Sequence, residues 1–220
     1  MLALGRLSLR NSLKGNWVAM PRVIGLTGNI ACGKTSVGHI LLELGAERYI
    51  DADAVVHRLY ERGQPIAEKV AEVFGPTVLA EGGSVDRKAL GTIVFHNAEA
   101  MQRLERIVHP AVAKALMDEL ANVSASGVAI IDAVKLLEGR SGEFCQSKWL
   151  VVCPEEQELA RLMARSNLSM DEALARIRAQ PDVASKLALV DEVIDNGGSL
   201  DTTRRQVVAA FERFCRRFPV

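Results

Sequence analysis

The chain has 220 residues, 49% of them apolar, enough to bury one sizeable core. Lysine plus arginine equals aspartate plus glutamate at 27 each, which excludes both the overall basic field that recruits nucleic acid and an acidic, disorder-prone composition. No apolar run is long enough to span a bilayer, and the four cysteines (Cys32, Cys145, Cys153, Cys215) have neither C-x-x-C nor metal-ligand spacing, so a reducing cytoplasm is the expected setting.

Residues 1–20 hold Arg6, Arg10 and Lys14 and no acid, which faintly suggests a targeting segment, but an apolar stretch of the right kind is missing. Because Met20 stands just before the first strand-like run, a disordered extension or a mis-assigned start is expected instead. Residues 23–27 read as a strand, and Gly28-Asn29-Ile30-Ala31-Cys32-Gly33-Lys34-Thr35 follows it directly as a G-x-x-x-x-G-K-[ST] phosphate loop. Beyond Ser36, the residues Val37, Ile40, Leu41 and Leu44 recur at helical spacing, with Gly45 as a C-terminal cap. Strand, loop and helix in this order converge backbone N–H groups and a positive helix end on one point, which suits a polyphosphate. Lys34 is then expected at the terminal phosphates and the Thr35 hydroxyl at Mg²⁺. Cys32, at a helix N-terminus, is expected to have a lowered pKa and to oxidise when nucleotide is absent.

A second strand is expected at residues 48–50, leading into Asp51-Ala52-Asp53. If the strand runs that far, alternate residues share a face and both carboxylates point to one site, where Asp53 could accept a hydroxyl proton or hold metal. The other reading makes Asp51 or Asp53 a helix N-cap. More than seventy residues then separate this strand from the next and read as helices at 54–62, 66–74, 87–95, 98–108 and 111–122. That is too much for one crossover and indicates an inserted helical subdomain beside the active end of the sheet. His109-Pro110 either touches substrate or terminates a helix.

Further strands are expected at 128–131, 149–152 and 193–194. Asp132 closes the first of these in the manner of a Walker B acid, and Lys135 follows either as a contact for an anionic substrate or as surface charge. After the fourth strand, Pro154-Glu155-Glu156 suits the first turn of a helix whose Arg161 and Arg165, four apart, share one side. Ser169 and Glu172 form a capping box for a second helix carrying Arg176 and Gln180, ended by Pro181. Such a hairpin can deliver guanidinium groups to a γ-phosphate while excluding water. A C-terminal helix is expected from 201 to 218, burying Val207, Val208, Phe211 and Phe214.

In combination, IGLTGNIACGKT, IDADAVVH, VDRKALGTIVF, the VHP at Val108, LARLMAR, ALARIRAQ and VIDNGGSL resemble the dephospho-coenzyme A kinase family over about residues 22–214. The resemblance implies an α/β fold: a P-loop kinase core with a five-stranded parallel sheet, a helical substrate-binding insertion and a helical lid. Its implied divisions are core at 21–58, CoA-binding insertion at 59–124, core at 125–153, lid at 154–183 and core at 184–218. The implied reaction moves the ATP γ-phosphate to the ribose 3′-hydroxyl of dephospho-CoA, the last step of CoA synthesis, with ATP and dephospho-CoA as partners, Mg²⁺ as metal, no nucleic acid or membrane partner, and oligomerisation left open.

By the same resemblance Asp53, Lys34 and Arg165 are the catalytic residues, with Asp53 as base. Gly28, Asn29, Ile30, Ala31, Cys32, Gly33, Lys34, Thr35, Ser36, Arg161 and Asn196 would bind nucleotide, and Thr35 and Asp53 the metal. Asp53, His57, Arg87, His109 and Arg176 would meet the acceptor. The chain departs from the family pattern in having Asn29, Ala31 and Cys32 where glycine and serine are frequent, and in lacking a proline after the third strand. Two other readings are a P-loop kinase acting on a nucleoside or nucleotide, and a nucleotide-binding switch module. The second has no N-K-x-D guanine-reading motif to support it, and mixed charge on the insertion argues against a DNA-binding module.

Overall fold

The computed structural model describes residues 20–220, so the expectation for residues 1–19 lies outside the described part. The strands are β1 (Arg22–Thr27), β2 (Arg48–Asp51), β3 (Val128–Asp132), β4 (Ser147–Val152) and β5 (Glu192–Asp195). All pair in parallel, in the order β2-β3-β1-β4-β5. β1 and β3 are almost wholly buried because helices cover both faces, which is why they read as continuous apolar runs rather than alternating ones.

Period-two alternation divides the strand residues between two cores. Ile24, Leu26, Trp149 and Val151 pack against α1 (Lys34–Glu43) and the C-terminal helix α9 (Leu200–Arg217), through Val37, Ile40, Leu41, Val207, Ala210 and Phe214. Val208 and Phe211 are only half-buried, so the buried stripe of α9 is narrower than its composition suggests. On the other face Val23, Ile50, Ala129 and Ile131 meet α2 (Ala52–Leu59) and α5 (Ala98–Leu120), through Val55, Leu116 and Leu120.

Between β2 and β3 the chain forms α2, α3 (Pro65–Phe74), α4 (Arg87–Val94) and α5, joined by a 3-10 turn at Pro76–Val78. These helices enclose an apolar cluster of their own around Val70, Val78, Leu90, Val94 and Val108. The expected break at His109-Pro110 is absent: α5 runs through Pro110 for 23 residues. An interior proline costs about 3 kcal/mol. Val108, Leu116 and Leu120 each return roughly 1.5–3 kcal/mol on burial, and they anchor the two halves of α5 in two different cores.

After β4 come α6 (Glu155–Ser166) and α7 (Met170–Arg178), the latter started by the expected capping box of Ser169 and Glu172. A further short helix, α8 (Val183–Leu187), was not evident in the sequence. Leu162, Ala173 and Ile177 bind α6 to α7, and the phosphate-loop residues Ile30 and Ala31 pack against the same cluster. None of the described helices is long and apolar enough to cross a membrane.

Candidate active site

The site lies at the carboxyl ends of the central strands, where ligands gather in parallel α/β sheets. Strand register pairs both Leu26 of β1 and Asp51 of β2 with Asp132 of β3, so the phosphate loop and two carboxylates emerge side by side. A cleft of about 400 Å³ is lined by Ile30, Ala31, Gly33, Lys34, Thr35, Asp51, Asp53, Asp132, Val134, Arg161 and Arg165. It thus gathers the loop, three carboxylates and two arginines of α6.

Local backbone chemistry shapes the loop. Gly28 (φ 151) and Gly33 (φ 97) adopt positive φ, and a Cβ on Gly33 would collide with the Asn196 amide, one on Gly28 with the Val151 carbonyl. Ala31 also sits in the left-handed region (φ 62), at a steric cost of about 1–2 kcal/mol for a residue with a Cβ. Lys34 Nζ donates to the carbonyls of Gly28 (3.2 Å) and Asn29 (3.5 Å), folding over its own loop. The Ile30 N–H donates to Gln180 Oε1 (2.8 Å), the residue that ends the α6–α7 hairpin.

The two aspartates after β2 sit in different local settings. β2 stops at Asp51, so the condition under which strand alternation would carry Asp53 to the same face as Asp51 is not met, and the N-cap reading holds for Asp51. Asp51 is the N-cap of α2, accepting from the Ala54 N–H (2.8 Å). Asp53 stands in the first turn, exposed to the cleft, and its Oδ2 accepts from the Val134 N–H at 3.4 Å. Thr27 fixes the segment after β3 by donating to the Val134 carbonyl (3.1 Å). Lys135 in that segment is exposed.

Asp132 is 7% exposed. Its Oδ2 accepts from the Tyr49 hydroxyl, while its Oδ1 is buried with no hydrogen-bond partner among the described residues. Burial pushes the Asp132 carboxyl above the usual range, Lys34 and the Tyr49 hydrogen bond oppose the shift, and Asp51 and Asp53 add to it. Tyr49 is pushed up as well, first by burial and then by the Asp132 charge, so it stays a donor. An orphaned carboxylate oxygen beside Thr35 and Asp53 is the donor chemistry that a hard cation seeks. Among the described residues no three acidic, histidine or cysteine side chains form a cage by themselves.

Beside the cleft, Gly33, Ser36, Arg161, Asn196, Gly198 and Leu200 line a second cavity of about 240 Å³. Arg161 is held by the Cys32 carbonyl (3.4 Å), Gln157 Oε1 (2.8 Å) and the Asn196 carbonyl (3.2 Å). Asn196 donates to the Cys32 carbonyl (2.9 Å) and accepts from Thr203 Oγ1 (3.1 Å). Arg161 is therefore a fixed wall shared by both cavities, whereas Arg165 reaches the cleft from an exposed position. Arg176 is exposed and lines neither cavity. On the helices after β2, Arg87 donates to His57 Nε2, bringing α4 to α2, and His109 is half-buried on α5.

The expectation of a reactive Cys32 is overturned. The thiol is fully buried, and burial pushes it up to about 11, outweighing Lys34 and the backbone N–H that favour the thiolate. All four cysteines are free. Sequence reasoning also missed Tyr49, Glu158 and Lys186. Tyr49 reads as an ordinary strand aromatic and Glu158 as one more acid of a helical first turn. Lys186 lies on a helix too short to show periodicity, so nothing in its spacing separates it from a solvated surface lysine.

The sequence model of the dephospho-CoA kinase family matches residues 22–202. A dephospho-CoA kinase of Carboxydothermus hydrogenoformans is 42% identical over 194 residues, covering 87% of this chain and 94% of the relative. One of Symbiobacterium thermophilum is 44% identical, covering 88% and 82%. Among solved structures, TT1252 of Thermus thermophilus superposes with a TM-score of 0.74 at 33% identity, covering 88% of this chain and 97% of that one. A dephospho-CoA kinase of Campylobacter jejuni gives 0.52 at 28% identity, covering 89% and 98%.

Proposed function

The chain belongs to the dephospho-CoA kinase family, and we propose from its site that it transfers the γ-phosphate of ATP to the ribose 3′-hydroxyl of dephospho-CoA. The observation that carries this reading is the single cleft in which the phosphate loop, Asp53 and Arg165 face one another. A nucleotide fits with its polyphosphate on the loop amides and Lys34 and its base in the cavity walled by Arg161 and Asn196. Asp53, exposed and steered by the Val134 N–H, accepts the acceptor's hydroxyl proton. The acceptor oxygen bonds to the γ-phosphorus as the bond to the bridging oxygen of ADP breaks, and Lys34 and Arg165 offset the negative charge on the transferring group.

Thr35, Asp53 and Asp132 would hold Mg²⁺. When bound, Mg²⁺ supplies charge neutralisation across the β- and γ-phosphates. The α2–α5 helices form the acceptor platform, with His57, Arg87 and His109 available to the CoA moiety. The α6–α7 hairpin is the lid, and its apolar packing against Ile30 and Ala31 ties it to the loop it covers.

Labelled γ-phosphate tests the reading. With Mg²⁺-ATP and dephospho-CoA, label should appear in a product of CoA mass carrying a 3′-phosphate. Label found only in inorganic phosphate would contradict it.

A further inference from the structure

Two charged side chains near the loop are buried and play no part in the steps above: Glu158 is 4% exposed and Lys186 is 2% exposed, and Lys186 meets the half-buried loop residue Asn29. Lys186 Nζ donates to the side-chain Oδ1 of Asn29 at 3.0 Å. An ammonium withdrawn this far from water is costly unless its field and its hydrogen bonds are used. It lies within electrostatic reach of Glu158, which also faces Lys34 and Arg161. The bond runs from α8 to the loop residue between Gly28 and Ile30, where the chain turns off β1. Six residues earlier, Gln180 takes the Ile30 N–H itself (2.8 Å). The segment leaving the lid thus grips two consecutive loop residues, one by its side chain and one by its backbone.

We propose that Lys186 is a positioning residue of the nucleotide site: through Asn29 it sets the first turn of the phosphate loop, and so governs ATP affinity rather than the acceptor site or the transfer step. Lys186 lines neither cavity, so its influence passes through Asn29 and not through contact with the nucleotide. A charge-assisted hydrogen bond is strong enough to order a loop whose Ala31 is already strained. The inference rests on reading the loop as an ATP site, but not on the identity of the acceptor.

The test is a double-mutant cycle on Lys186→Met and Asn29→Ala, reading the Kd of Mg²⁺-ATP directly and the steady-state constants with dephospho-CoA. Each single variant should weaken ATP binding by about tenfold, the scale of one charge-assisted hydrogen bond, with the KM for dephospho-CoA unchanged. The double variant should bind no more than about twofold worse than either single one, because both changes remove the same interaction. Multiplying effects would overturn the proposal, as would a loss of kcat with an unchanged ATP Kd. Should Lys186→Met fail to fold, Asn29→Ala decides alone: ATP affinity within about twofold of wild type sinks the idea. Because ATP binding is read without acceptor, failure here is distinguishable from a wrong acceptor assignment.

Discussion

Asp53 and Asp132 show how one cleft can hold the same functional group in two different environments. Asp53 is exposed at the cleft with one weak backbone donor, the environment on which its proposed role as base rests. Asp132 is buried and half-satisfied by Tyr49, and its other oxygen has no hydrogen-bond partner among the described residues, which is why we propose it for a cation. Asp53→Asn should retain ATP binding and lose about 10²–10⁴-fold in kcat, the usual share of general acid–base catalysis. Isothermal binding of ATP alongside turnover checks both halves, and unchanged turnover would reduce Asp53 to a first-turn residue of α2. The sequence pointed to Asp53 as the base but left open the other reading, a helix N-cap at Asp51 or Asp53. What decides the cap is where β2 ends, and that is set by pairing with β3, which no local pattern near residue 51 records.

At the scale of the element, α6 carries a carboxylate in an unfavourable place. The Glu158 carboxyl is raised from 4.5 to about 7 by burial first and Glu155 second, with Lys34, Lys186 and Arg161 opposing. Between those values the folded protein binds more protons than the unfolded chain. The stability tied to Glu158 is therefore whole below 4.5 and is lost as pH rises through about 7. Glu158→Gln does not titrate, so its thermal stability should gain on wild type across that window and keep a constant lead above it. A difference independent of pH would show that Glu158 is solvated after all. The helical hairpin itself was legible, because Ser169 and Glu172 form a capping box and Pro181 stops α7. The continuity of α5 was not, because the rule that proline ends helices is local while the burial of Val108 and Leu116 in separate cores is tertiary.

Across the whole molecule, a parallel sheet holds one nucleotide end fixed while two helical inserts meet it from either side. The alternation of strand-like runs with helical ones was enough to expect the sheet, and the glycine loop enough to locate its ligand end. The strand order was not readable, since both the placement of β3 between β1 and β2 and the resulting approach of Asp132 to Lys34 depend on contacts more than seventy residues apart. That arrangement brings the phosphate loop, Asp53, Asp132 and Arg165 to one cleft, where we propose that donor, metal and acceptor meet. The central claim, that the platform selects dephospho-CoA, is tested most directly by comparing kcat/KM for dephospho-CoA, AMP and cytidine under saturating Mg²⁺-ATP. A preference for dephospho-CoA of at least about a hundredfold is expected, the equivalent of about 2.7 kcal/mol of differential binding to the transition state. Equal use of AMP or cytidine, or ADP formed at the same rate with no acceptor, would contradict it.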